Sequence, residues 1–190
     1  MNLNYKEKIV ELLKDNMTEN GFKLWEGINR LLPDIWNLPT SSTKKYHRKL
    51  NGKVPNIAEH VYQMLYASVK IFSLFNVMKN TSEADKLLFA VVLHDSLKYG
   101  RMGTRKHTDT WHDKTAGDMV AQNKSTFLKL LNEDQFNVLE EAVRFHSGQW
   151  STDVSKNKKF DFKEYNPETL FVHMLDMMSS HDLIQTDVRE

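Results

Sequence analysis

Apolar residues recur at three- and four-residue intervals along most of the chain, the spacing that lays them on one face of an α-helix. Residues 3–15 place Tyr5, Ile9, Leu12 and Leu13 on such a face, and the pattern ends near Asn16. A second helix is predicted over 18–32, with Phe22, Trp25, Ile28, Leu31 and Leu32 on one side. Pro33 stops it, because proline donates no backbone hydrogen bond and restricts the residue before it. Residues 38–54 are polar, contain Asn51-Gly52 and read as a loop. Pro55 then opens a long helix over 56–79, with Ile57, Val61, Met64, Leu65, Val69 and Phe72 as its apolar face. Thr81 or Ser82 caps the next helix, with Asp85 three residues after Ser82. That helix carries Leu87, Leu88 and Ala90 to Leu93, and its pattern runs to about Lys98. It is apolar nearly all round, as a buried central helix is. After a loop at 100–110, further helices are predicted over 111–123, 133–147 and 167–185. The polar stretch 148–166 reads as a long loop that can serve as a substrate-facing flap.

No segment alternates as a β-strand does, so the expected class is all-α: one compact unit, with a helical extension and loop over 1–54 and a helical domain over 55–190. Composition agrees. The 190 residues include 7 Gly and 4 Pro, both well under typical usage of about 7% and 5%. Lys and Arg number 26 and Asp and Glu 25. That balance gives no electrostatic case for a nucleic-acid or membrane surface, so short RNA or DNA is not the favoured partner. There is no Cys, which excludes disulfides, thiolate metal sites and thiol catalysis. The first residues lack a signal-peptide core, no run reaches the ~20 apolar residues of a membrane span, and a cytoplasmic location is the default expectation.

The histidines change the picture. His60, the His94-Asp95 pair, His146 and Asp176 each stand beside a dense apolar stripe, and His112 begins another helix. A polar group within an apolar helix face costs several kcal/mol unless something satisfies it. One core histidine is readily explained by a hydrogen bond. Five such positions in a small helical chain favour a shared task. Helical bundles build metal sites by projecting side chains inward from facing helices, and imidazole with carboxylate suits Zn, Fe, Mn, Ni or Co.

The ordered set His60, His94-Asp95, His112, His146, Asp176 resembles the HD-domain superfamily of metal-dependent phosphohydrolases, over about residues 45–185. HDSLK, ending at Lys98, resembles the HD-x-x-K form of that superfamily. The resemblance implies a helical fold in which His60, His94 and Asp176 bind one divalent ion. His112 and His146 bind a second, and Asp95 bridges the two. It leaves open whether the ions are Fe, Mn, Zn, Ni, Co or Mg. The implied activity is hydrolysis of a nucleotide-type phosphate mono- or diester by hydroxide generated at the metals, with Asp95 and Lys98 as the catalytic residues. A mixed-valent di-iron oxygenase on the same ligands and a non-catalytic nucleotide-binding module are the alternatives. The Gly-Tyr-Pro signature of one subgroup is absent, and Ser147 follows His146 where a second histidine often stands, so a three-metal centre is not expected.

Two divalent ions against two aspartates leave about two positive charges, a centre that attracts an anionic phosphate. Lys98 either reaches that phosphate or is a solvated side chain at a helix end. His107 is the rival to His112 as ligand. His173 shares a helix face with Asp176 and is placed to hold its carboxylate. His47 lies in the basic loop from Lys44 to Lys53, and Lys156 to Lys159 form a second basic cluster. His181-Asp182 comes too late in the chain to head the ordered set. The Met-rich stretch around Asp176 reads as core filler.

Overall fold

The computed structural model describes residues 4–42, 53–72, 78–151, 162–181, 183, 184 and 186. Among the described residues eight α-helices carry the fold: α1 (Tyr5–Asn16), α2 (Glu19–Asn29), α3 (Ile57–Ile71), α4 (Ser82–Leu93), α5 (His112–Gln122), α6 (Lys124–Phe127), α7 (Glu133–Phe145) and α8 (Pro167–Ser180). Short 3-10 turns lie at Gly148–Trp150 and Phe162–Glu164. Among the described residues there is no strand, only an isolated bridge between Pro39 and Asn56. The class is all-α. No helix among the described residues is long and apolar enough to cross a membrane.

Helix starts follow their caps. Side-chain oxygens of Asn4, Thr18, Asn56, Thr81 and Asn132 each accept a backbone N–H three residues on. Thr81, not Ser82, is therefore the cap of α4. Asn132 and Gln135 close a reciprocal capping box on α7. The helix starts agree with the sequence pattern, but several ends come earlier. The apolar run past Leu93 extends the pattern of α4 to about Lys98, yet residues 94–99 form successive turns. The α3 helix ends at Ile71 rather than near residue 79, and Asn80 adopts a left-handed φ of 58°. The α2 helix ends at Asn29 and α8 at Ser180, short of the expected 32 and 185.

The central helix is α4, whose residues Ala84 to Leu93 are all buried. It packs against α1, α2, α3, α7 and α8, while α5 lies along α7 and α8 against α3 and α7. One apolar cluster runs from Ile9 and Leu13 of α1 through Leu88 and Val91 of α4 to Leu175 of α8. The N-terminal helices share this core with the rest of the chain.

Buried charges pin the packing. Asp85 is fully buried and faces Thr18 across the bundle instead of closing its own helix. It accepts from the Thr18 backbone N–H at 2.8 Å and from its hydroxyl at 2.6 Å. The buried Lys86 bridges Glu83 and Glu168 of α8. Glu141 of α7 accepts from the Asn166 N–H at 2.8 Å and the Thr169 hydroxyl at 2.6 Å, placing a carboxylate at the positive end of α8.

The segment before α3 fixes the first candidate ligand. Backbone carbonyls of Leu38 and Trp36 accept the N–H groups of Ile57 and Ala58. These are donors that a helix start leaves without internal partners. They anchor the first turn of α3, and His60 sits at its end.

Candidate metal centre

Six side chains from five helices and their ends converge. His60 comes from within α3 and Asp176 from within α8. His94 and His146 are the residues that terminate α4 and α7, Asp95 follows His94, and His112 opens α5. His60, His94, Asp95 and His146 are almost completely buried. The side chains of His112 and Asp176 are 16% and 15% exposed, so the centre meets solvent between the start of α5 and α8.

The donor atoms form two triads that share one carboxylate. On one side, His60 Nε2 lies 3.1 Å from His94 Nε2, and these nitrogens stand 3.7 and 3.5 Å from Asp95 Oδ2. On the other, His112 Nε2 lies 3.3 Å from His146 Nε2, and these stand 3.2 and 3.6 Å from Asp95 Oδ1. Asp176 Oδ1 joins the first side through His60 Nε2, at 3.2 Å. Ligands held ~2.0–2.2 Å from a common ion stand roughly 3.0–3.6 Å from one another. The spacings are therefore those of the edges of a coordination shell.

Proton positions point the same way. His94 Nδ1 lies 2.6 Å from the Val91 carbonyl, His112 Nδ1 2.8 Å from that of Asp109, and His146 Nδ1 2.8 Å from that of Val143. A carbonyl only accepts, so in each ring Nδ1 donates its proton and Nε2 turns a lone pair inward. Neutral imidazole in that tautomer is the form that binds a metal. Asp95 Oδ1 is buried and meets no hydrogen bond, which is costly for a carboxylate unless a cation neutralises it.

No family model, curated protein or solved structure matches this chain.

The charge states fit a cation-binding centre. Burial works against the charge of Asp95, but Lys98 and His94, followed by His112 and His146, hold its carboxyl well below the usual carboxylate range. Burial drives His60 below the ordinary imidazole value despite Asp176. Burial also opposes a charge on His146, but Asp95 outweighs it and lifts that imidazole. A void of about 10 Å³ adjoins Asp95 and Ser96 and is otherwise walled by apolar side chains that include Trp36, Ile57 and Val61. It has room for one water at most.

Lys98 is buried, not solvated, and its ammonium contacts Asp95 Oδ2 at 2.5 Å. It is positioned on the carboxylate that the two triads share. His107 is exposed, whereas His112 stands in a triad with Asp95 and His146 that could hold an ion. His112→Ala is expected to cut bound metal from about two equivalents toward one with the helical circular dichroism unchanged. His107→Ala should leave both in place, and metal analysis of the two purified variants decides between them. His173 Nδ1 lies 2.7 Å from the His146 carbonyl, with its ring against Gly148. His181 is exposed and bonds the Met177 carbonyl. Asp182, His47, Lys44 to Gly52 of the basic loop, and Lys156 to Lys159 lie outside the described residues, as does most of the proposed flap.

Two polar residues of the centre were not legible as such. Ser179, inside the Met-rich stretch, lies 2.8 Å from His60 Nδ1, and its hydroxyl donates to Gln63 Oε1 at 2.7 Å. Both are spaced three residues from a candidate ligand on its own helix, Gln63 from His60 and Ser179 from Asp176. That spacing was the available signal.

Proposed function

We propose that this chain is a metal-dependent phosphohydrolase acting on a nucleotide or another small phosphate ester. The observation that carries the reading is the pair of triads back to back on Asp95. It supports two divalent ions rather than one, with His60, His94 and Asp176 holding the first and His112 and His146 the second. When bound, such ions lower the pKa of water and neutralise charge on phosphoryl oxygens. The resemblance of the ordered His and Asp set to HD-domain phosphohydrolases points to the same chemistry.

The protein's own groups then have distinct tasks. Asp95 spends one oxygen on each side and fixes the spacing of the two halves. The carbonyls of Val91, Asp109 and Val143 keep three imidazoles neutral and turned inward. Lys98 adds a buried positive charge beside Asp95, raising the excess of cation over carboxylate that attracts a phosphate dianion. Its Nζ either stays on Asp95 Oδ2 or swings to the substrate. Lys98→Ala is therefore expected to weaken phosphate binding or turnover while metal content stays normal. The exposed edges of His112 and Asp176 mark where substrate enters.

The test is phosphate release from a panel of nucleotide mono- and diesters under strict anaerobiosis, with Mg, Zn, Mn, Co or Ni added to metal-free protein. Release with a redox-inert ion supports the hydrolase. Activity confined to iron, with stoichiometric uptake of oxygen, would replace it with an oxygenase. A nucleotide that raises the melting temperature without being cleaved would replace it with a binding module.

A further inference from the structure

Three of the four inward-facing imidazoles are oriented by the backbone of their own helix ends, through carbonyls three residues earlier in the chain. His60 is held differently. It lies within α3, where carbonyls are engaged by the helix ladder, and its Nδ1 meets the Ser179 hydroxyl of α8 at 2.8 Å. Ser179 in turn donates to Gln63 Oε1, one turn along α3 from His60, at 2.7 Å. All three residues are buried.

We infer that Gln63 and Ser179 are positioning residues for the first ion: Gln63 aligns the Ser179 hydroxyl, which fixes the tautomer and orientation of His60. A hydroxyl has one proton. With it committed to Gln63, the Ser179 oxygen can only accept, so it draws the His60 proton to Nδ1. His60 has no backbone carbonyl to hold its proton on Nδ1, while Asp176 Oδ1, 3.2 Å from Nε2, competes for it. If the proton moves to Nε2, the lone pair points away from the centre and the first ion loses a ligand. The arrangement also ties that ion to the docking of α8 on α3, whereas the second side depends on local helix ends.

The inference rests on the two-ion reading, and the experiment separates them. Full-length metal-free protein is titrated with Co in the presence of a competing chelator, for the wild type, Ser179→Ala, Gln63→Met and the double variant. Wild type should take up two equivalents. Ser179→Ala should weaken one of them by about 10- to 100-fold, the usual effect of removing such a support, and leave the other unchanged. Gln63→Met, close to Gln in shape but without the acceptor, frees the hydroxyl to donate to Nδ1 and should weaken the same equivalent. The double variant should be no worse than Ser179→Ala, because the effect of Gln63 passes through Ser179. Side-chain ¹⁵N spectra of metal-free protein give an independent reading: the His60 signals should move toward the Nε2–H tautomer in both single variants.

Two equivalents bound with unchanged affinities in Ser179→Ala overturn the relay alone. So does additive loss in the double variant, or a His60 tautomer that does not respond. A wild-type chain that takes up no Co overturns both the relay and the two-ion reading.

Discussion

Asp95→Ala is expected to release both ions and reduce phosphate production to background. Each carboxylate oxygen faces a different pair of imidazoles, 3.2 to 3.7 Å away, so no other side chain substitutes for both. The same change strands the buried Lys98 ammonium. Removing one partner of a buried ion pair costs about 3–5 kcal/mol. At ~2–4 °C per kcal/mol for a chain of this size, the metal-free variant should melt about 6–20 °C below metal-free wild type. Adding Lys98→Met removes the stranded charge, so the double variant should recover most of that stability and none of the metal. Elemental analysis and thermal melts of the three proteins check both parts. One ion retained at wild-type affinity in Asp95→Ala would mean that Asp95 is not shared.

Gly21→Ala is expected to destabilise the chain by about 3–5 kcal/mol, against the sign that helix propensity gives. In a helix interior Ala is favoured over Gly by about 1 kcal/mol. At position 21, however, an added Cβ meets the Asp85 carboxylate, with the nearest oxygen closer than any real contact. The carboxylate must leave the Thr18 N–H and hydroxyl that hold it, and a buried acid loses two hydrogen bonds while the site is overpacked. Gly27, six residues on in the same helix, has nothing within 4 Å of an added Cβ. Gly27→Ala should therefore stabilise by about 0.5–1 kcal/mol. Chemical denaturation of the two variants should move in opposite directions, and a background of Asp85→Ala should erase most of the Gly21 penalty. Equal shifts at both positions would show that the close approach has no energetic weight.

The helices were legible because apolar spacing carries across each turn, and the cap of α4 acts within three residues of itself. Helix ends were harder. The end of α4 is set at His94, whose ring folds back on the Val91 carbonyl, while Leu93 and Leu97 continue the apolar pattern past it. Asp85 was read with Ser82 because the spacing suits a cap, but its partner lies 67 residues away, a pairing that no local window reveals. The candidate ligands stood out for the opposite reason: imidazoles and carboxylates within apolar stripes violate the local pattern. Lys98 resisted reading because its burial depends on Asp95 and on the loop that carries Asp109, whose N–H bonds the Lys98 carbonyl. Ser179 resisted because a serine is unremarkable at a helix end.

The carbonyl contacts of His94 and His146 bear on how variants at these positions are to be understood. Each ring closes the last turn of the helix it ends, α4 or α7, with one nitrogen and faces the centre with the other. An alanine scan therefore reports two losses at once there, a frayed helix end and a missing donor. At His60, within α3, it reports the donor together with the contact to Ser179 of α8, and no helix end. Equal deficits at the three positions would thus conceal unequal roles, and asparagine, whose short amide can still donate to a nearby backbone carbonyl, is the more informative replacement at 94 and 146.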